Sequence, residues 1–118
     1  MDFRVYYEHQ KELQELFKKN YPGSEAQHTG ISVIDEAKFE KHVLLMIKEV
    51  TEILDEINYK LHVRNKKSVN KEKIIEELVD TFKYLLNLML IMGIEPFEFE
   101  RKYAEKHKQI EQKINKNL

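Results

Sequence analysis

Four carboxylates in two helical patterns are the residues of this sequence whose types and spacing suggest chemistry. Glu49 and Glu52 are three positions apart, as are Glu77 and Asp80, and 24 residues lie between the two pairs. Residues three or four apart share one face of an α-helix, so each pair projects from one side of its helix. In both segments that side borders the apolar stripe, and the two pairs can converge if the helices pack antiparallel.

Converging carboxylates repel one another unless a cation lies among them. Mg²⁺ prefers oxygen ligands and usually keeps water molecules and substrate phosphates in its coordination shell. An E-x-x-E pair that faces an E-x-x-D pair therefore indicates Mg²⁺-dependent phosphate chemistry, with Mn²⁺ as a substitute ion. Glu56, four residues after Glu52, is a third ligand, a support for the ligands or a surface charge. Either pair alone is typical of a solvated helix face in a chain with 21 acidic residues.

The composition is that of one folded helical domain. Of the 118 residues, 42% are hydrophobic and 35% are charged, and the net charge of -1 supplies no basic field for nucleic acid. The chain has no cysteine, which excludes disulfides and thiolate metal sites. The N-terminus lacks a signal-peptide pattern, and the longest apolar stretch, residues 84 to 94, is too short to span a membrane. We expect a cytoplasmic protein without a membrane partner.

Apolar residues at steps of three and four predict four helices and no strand. The first helix runs from about Asp2 to Lys19, with Asp2 as its N-cap. The second, from about residue 35 to 61, carries the E-x-x-E pair, and the third, from about 71 to 92, carries the E-x-x-D pair. The prediction is an all-α helical bundle formed by a single domain over residues 1–118.

The boundaries of the third and fourth helices are marked by residues with strong local preferences. After a basic loop over residues 62 to 71, Asn70 can cap the third helix, and Gly93 is expected to end it. Pro96 suits the first turn of the fourth helix. The third helix is apolar around much of its circumference, which favours a central position or burial by a second subunit.

The segments "KEVTEILDEIN" and "EELVDTFKYLLNL" resemble the all-α nucleoside triphosphate pyrophosphohydrolases, the MazG-like and dimeric dUTPase-like superfamily. Its signature is an E-x-x-E helix, a spacer and an E-x-x-D helix, which are matched here by Glu49, Glu52, Glu77 and Asp80. Glu56, followed by Ile-Asn, also matches many MazG-like members. The resemblance covers about residues 36 to 111 and corresponds to one four-helix MazG-like unit.

The fourth helix carries a further resemblance to MazG-like proteins, in which a Lys-aromatic-x-x-Arg motif is followed by a glutamate. Here Lys102, Tyr103, Lys106 and Glu111 occupy those positions. Lysine in place of arginine at 106 keeps the charge but loses bidentate phosphate binding. The resemblance implies that Lys102 and Lys106 bind substrate phosphate; the other interpretation is a solvated basic helix. Lys48 stands where many relatives have a glutamate before the E-x-x-E pair.

The activity implied by the resemblance is hydrolysis of a (deoxy)nucleoside triphosphate to the monophosphate and pyrophosphate, in nucleotide-pool sanitation. Glu49, Glu52, Glu77 and Asp80 would hold Mg²⁺, and Glu49 or Glu52 would position or deprotonate the attacking water. A single unit would need a partner, so a homodimer or homotetramer is implied. A dUTP-selective diphosphatase is the alternative within the superfamily. A non-catalytic helical interaction module with solvated acidic stripes is the alternative outside it.

Contacts to the nucleotide base are the least specified part of the prediction. Gln10 and Gln14 could read base edges by analogy with the family, and Tyr59 is a further candidate, although ordinary packing also explains each tyrosine. A di-iron bundle requires E-x-x-H on two helices, and only Glu25 and His28 have that spacing, in a loop. We therefore interpret the five histidines as isolated, exposed side chains.

Overall fold

A computed structural model of the chain describes residues 2–57 and 69–116. It contains the helices α1 (Phe3–Asn20), α2 (Ser32–Glu56), α3 (Lys71–Met92) and α4 (Pro96–Lys116), and no strand occurs in these two ranges. The predicted all-α class is confirmed. None of these four helices is both long and apolar enough to cross a lipid bilayer.

The start of α1, both ends of α3 and the start of α4 lie at the residues that the sequence predicts as helix boundaries. The side chain of Asp2 caps α1 by accepting a hydrogen bond from the backbone N–H of Val5 at 3.2 Å. Asn70 caps α3 in the same way. Gly93 ends α3 in the left-handed conformation with φ of 68°, which a residue without a Cβ adopts at little cost. α4 begins at Pro96, as expected.

The start of α2 differs from the prediction, because the helix begins at Ser32 rather than near Asp35. The Asp35 carboxylate lies within the first turns and reaches back to the preceding loop. It accepts hydrogen bonds from the backbone N–H groups of Thr29 at 2.9 Å and Gly30 at 3.1 Å. Asp35 therefore binds the preceding loop from a position inside α2, three residues after the helix begins. α2 ends at Glu56; the predicted helical residues 58 to 61 and the loop residues 62 to 68 lie outside the described ranges.

Contacts between α2 and α3 form the largest helix interface of the described residues, α1 packs on α3, and α4 contacts α1. Glu49 lies near Glu77, and His42 lies near Asn87, so α2 and α3 run antiparallel. An aromatic stack of Phe3 on Phe99, with ring centroids 5.2 Å apart, joins α1 to α4. These rings pack against a small buried core formed by Tyr7, Leu86, Met89 and Leu90.

The two halves of α3 have different surroundings. Its C-terminal half is central to the fold, and Leu86 and Ile91 are fully buried. Its N-terminal half leaves apolar side chains exposed, with Leu78 at 52% of its full exposure. Further exposed apolar residues lie beside it or on the outer face of α2: Ile75, Val79, Leu44, Ile47, Val50 and Leu54. A central position in the fold therefore accounts for the many apolar residues of α3 only in its C-terminal half.

Candidate functional site

Three of the four predicted carboxylates meet where α2 crosses the first turns of α3. Glu49, Glu52 and Glu77 each place one carboxylate oxygen within 4.8 Å of the other two. Asp80 lies one turn after Glu77, outside this group of three; it is exposed and lines the same cleft as Glu49. Glu56 is half-buried one turn beyond Glu52, and its participation stays a prediction.

Burial and mutual repulsion make this carboxylate cluster unfavourable without a cation. Burial, followed by the charge of Glu52, raises the pKa of Glu49 to about 7, and Asp80 adds to the effect. Burial also raises the pKa of Glu77, although Lys73, at 3.8 Å, opposes this. One oxygen each of Glu49 and Glu77 is buried without a hydrogen-bond partner among the described residues. Orphaned carboxylate oxygens are the donors that a hard divalent cation prefers, so the residues present fit such an ion.

A cleft of about 620 Å³ opens between α1, α2 and α3 beside the cluster. Its volume lies in the range of small-molecule sites. Glu49 and Asp80 lie at one end. His42 precedes Glu49 by seven residues on α2, and Asn87 follows Asp80 by seven on α3. Two helical turns span about 10 Å, so both helices carry a neutral polar side chain about 10 Å from their carboxylates.

Buried amide side chains form the wall of the cleft at the end that carries His42 and Asn87. Asn87 Oδ1 accepts hydrogen bonds from Gln10 Nε2 at 2.8 Å and from Gln14 Nε2 at 3.1 Å. Gln14 Oε1 accepts the backbone N–H of Ala26 at 2.8 Å. Asn87 Nδ2 lies 3.5 Å from His42 Nδ1. The wall therefore joins α1, α2, α3 and the loop after α1 through one hydrogen-bonded network, which we call the amide network.

Positive charge in the cleft comes from lysines other than those predicted. Lys83 donates to Gln10 Oε1 at 3.3 Å, and Lys41 also lines the cleft. Lys102 and Lys106 lie on exposed positions of α4, where Lys102 pairs with Glu105 at 3.1 Å. Neither is among the residues that line this cleft. Their phosphate-binding role stays a prediction.

Other residues of the cleft were not identified from the sequence. The interpretation of the histidines as exposed is wrong for His42, which is 8% exposed. Tyr84 also lines the cleft, and burial together with the charge of Glu49 raises its pKa. The sequence does indicate a special role for Asn87, because it is the polar residue inside the apolar run "LLNLML". It lies seven positions after Asp80, which places both residues on the same face of a helix. Tyr59 lies outside the described residues.

Gln10 and Gln14, the predicted base-reading residues, are both placed in the amide network. They are 4% and 3% exposed, and they line the cleft. Their polar atoms are held mainly by other protein groups, which fixes their orientation. The structure thus puts these two residues in the same cleft as Glu49, at the end away from the carboxylate cluster.

A comparison with protein-family models gives one finding for this chain: the model of the family described as dUTPase matches residues 2–118. Searches of curated proteins and of solved structures give no significant match. The family match covers the E-x-x-E and E-x-x-D helices and all residues of the cleft. The chain therefore belongs to the dUTPase family, within the all-α superfamily of MazG-like and dUTPase-like nucleotide hydrolases.

Proposed function

We propose that this protein is a Mg²⁺-dependent diphosphatase that hydrolyses dUTP to dUMP and pyrophosphate. The observation that carries the proposal is the carboxylate cluster, with two orphaned buried oxygens at one end of a nucleotide-sized cleft. Family membership favours the dUTP-selective alternative over the broad (deoxy)nucleoside triphosphate specificity that the resemblance implied first. The role in nucleotide-pool sanitation follows as part of the same proposal.

Glu49, Glu52 and Glu77 would hold the ion, with Asp80, which lines the same cleft, as the fourth carboxylate of the site. A bound Mg²⁺ neutralises triphosphate charge and makes the attacked phosphorus more electrophilic. The carboxylates in turn fix the end of the cleft at which the phosphates lie. In this arrangement the four acidic residues of the two motifs would act together at one metal and phosphate site.

Glu49 or Glu52 would position the attacking water and accept its proton. Without an ion, burial and the charge of Glu52 raise the pKa of Glu49 to about 7. A bound divalent cation would favour the ionised form of these carboxylates. An ionised glutamate within reach of the attacking water can accept its proton.

The amide network would receive the nucleoside part of the substrate. It begins about 10 Å along α2 and α3 from the carboxylates, which suits a ligand whose phosphates and base lie at opposite ends. Gln10 Nε2 and Asn87 Nδ2 each use one N–H in the network, and Gln10 Oε1 accepts from Lys83, so a second N–H on each nitrogen and a second lone pair on that oxygen would serve a base edge. Lys41 and Lys83 add positive charge along the cleft, where they would contact phosphate or sugar oxygens.

The test is pyrophosphate release from dUTP, dTTP, dCTP and UTP, measured with Mg²⁺ and with a chelator. We expect Mg²⁺-dependent turnover that is fastest with dUTP. Glu52→Gln should lower kcat by roughly a hundredfold or more, because a ligand and a candidate base are lost together. Asp55→Asn, an exposed carboxylate on the same helix, is the matched control and should resemble the parent. No turnover of any nucleotide, or equal rates for Glu52→Gln and the parent, would contradict the proposal.

A homodimer or homotetramer belongs to the same proposal. It is supported by the exposed apolar side chains on the N-terminal half of α3 and on the outer face of α2, among them Leu44, Ile47 and Leu78. Patches of this kind usually mark protein–protein contacts. Light scattering coupled to size-exclusion chromatography should give a mass of at least two chains of 14.3 kDa. A concentration-independent monomer would contradict this part.

A further inference from the structure

A single backbone donor fixes the orientation of the side chains in the amide network. The N–H of Ala26 can only donate, so the atom of Gln14 that faces it at 2.8 Å is Oε1. Gln14 therefore turns its Nε2 toward Asn87. That contact, at 3.1 Å, requires an acceptor, so the facing atom of Asn87 is Oδ1. Gln10 Nε2 donates to the same oxygen at 2.8 Å, which agrees with this orientation.

The orientation of Asn87 determines the protonation state of His42. With Oδ1 turned to the glutamines, Asn87 presents Nδ2–H to His42 Nδ1 at 3.5 Å. An amide N–H cannot accept, so Nδ1 must carry the lone pair, and the neutral imidazole bears its proton on Nε2. A proton on Nδ1 would place two N–H groups against each other. Burial and the nearby charges of Lys41 and Lys38, which lower the pKa of His42, also favour the neutral ring.

The Nε2–H group of His42 is the polar atom of this ring that the network leaves available. His42 lines the cleft, and its Nε2 has no hydrogen-bond partner in the described part of the chain. The ring is tilted against Tyr84, with centroids 6.0 Å apart, so packing limits its rotation. The cleft thus contains a side chain that is fixed as a donor at Nε2 and cannot accept there.

We propose that His42 determines base specificity by donating its Nε2–H to the 4-carbonyl oxygen of the pyrimidine. This inference rests on the proposed function, because it assumes that the base lies at the amide network. Uracil offers a carbonyl oxygen at that position, whereas cytosine carries an amino group, which would meet the Nε2–H as a second donor. A donor left unpaired by the wrong base penalises that base strongly. Thymine has the same carbonyl as uracil, so His42 does not separate dUTP from dTTP.

Two substitutions separate this role from support of the network. In His42→Asn, the side-chain oxygen replaces Nδ1 as the acceptor for Asn87, but nothing replaces the Nε2 donor. In His42→Gln, the longer amide can place an N–H near the position of Nε2. We expect the ratio of kcat/KM for dUTP to that for dCTP to fall roughly 10-fold to 100-fold in His42→Asn. His42→Gln should keep most of the discrimination, and the ratio of dUTP to dTTP should stay unchanged in both variants.

Heteronuclear NMR correlation spectra of the histidine ring nitrogens test the tautomer directly. The proposal requires that His42 carry its proton on Nε2 at neutral pH, with or without nucleotide. A proton on Nδ1 would overturn it. A dUTP to dCTP ratio that is unchanged in a folded His42→Asn variant would also overturn it, while leaving the proposed function intact. A parent protein that hydrolyses no dUTP would overturn the proposed function and this inference together.

Discussion

Replacing Asn87 with leucine should destabilise the protein, because the side chain satisfies three buried polar atoms at once. Its oxygen accepts from Gln10 and Gln14, and its amide donates to His42. All four side chains are less than 9% exposed. Leucine has a similar size but no polar atom, so the substitution removes the hydrogen bonds without opening a large cavity.

The size of the effect follows from the number of orphaned groups. A buried polar group that loses its partner costs about 1–3 kcal/mol. Because the network borders an open cleft from which water can reach it, we take the low end, about 3 kcal/mol for the three atoms. Burial of the apolar leucine offsets about 1 kcal/mol of this. The expected loss is therefore about 2 kcal/mol in the free energy of unfolding, a large part of the total for a domain of this size.

Urea denaturation of the parent and of the Asn87→Leu variant measures this difference, with an unchanged m value as evidence that the denatured state is the same. Asn20→Leu is the matched control, since Asn20 is exposed and, within residues 2–57 and 69–116, its side chain bonds only the carbonyl of Leu16. That control should stay within about 0.5 kcal/mol of the parent. If Asn87→Leu costs no more than Asn20→Leu, the amide network does not contribute to stability and the reasoning is refuted.

Three further predictions concern the cluster, the cleft and the end of α3. Without divalent cations, stability should fall as pH rises from 4.5 toward 7, since folded Glu49 keeps a proton that the unfolded chain releases; thermal melts of Glu49→Gln should show a flatter dependence. Lys83→Met should raise KM for dUTP by roughly tenfold and lower the melting temperature slightly, because the buried Gln10 Oε1 loses its donor, whereas Lys108→Met, on exposed α4, should leave both unchanged. Gly93→Ala should cost about 1–2 kcal/mol in urea denaturation, because φ is 68° and the new Cβ would lie 3.3 Å from the His28 ring.

The helices and their ends could be predicted because their determinants are local. Apolar spacing and the capping residues Asp2, Asn70 and Gly93 act within a few positions along the chain. The same is true of the two acidic motifs, whose helical spacing already placed Glu49, Glu52 and Glu77 at the edge of the packed face. The early start of α2 was missed because Asp35 bonds the loop before it, a contact with no periodic signature.

The wall of the cleft could not be predicted, because it depends on contacts between distant segments. Gln14 and Asn87 are 73 positions apart, and their hydrogen bond exists only once α1 packs on α3. A buried histidine is likewise indistinguishable in sequence from an exposed one until its helix face is known. Lys102 and Lys106 show the opposite case, since their motif resembles that of the superfamily while neither side chain is among the residues that line the cleft beside the cluster.

Calorimetric titration of Mg²⁺ into the parent and into Glu77→Gln tests the central claim most directly. The parent should bind the ion saturably and release protons near pH 7, because binding forces Glu49, with its pKa of about 7, to ionise. Glu77→Gln keeps the shape of the side chain but removes a buried charge from the cluster, so it should bind far more weakly. Equal binding by the two proteins, or no binding by the parent, would contradict the assignment of these carboxylates as a metal site.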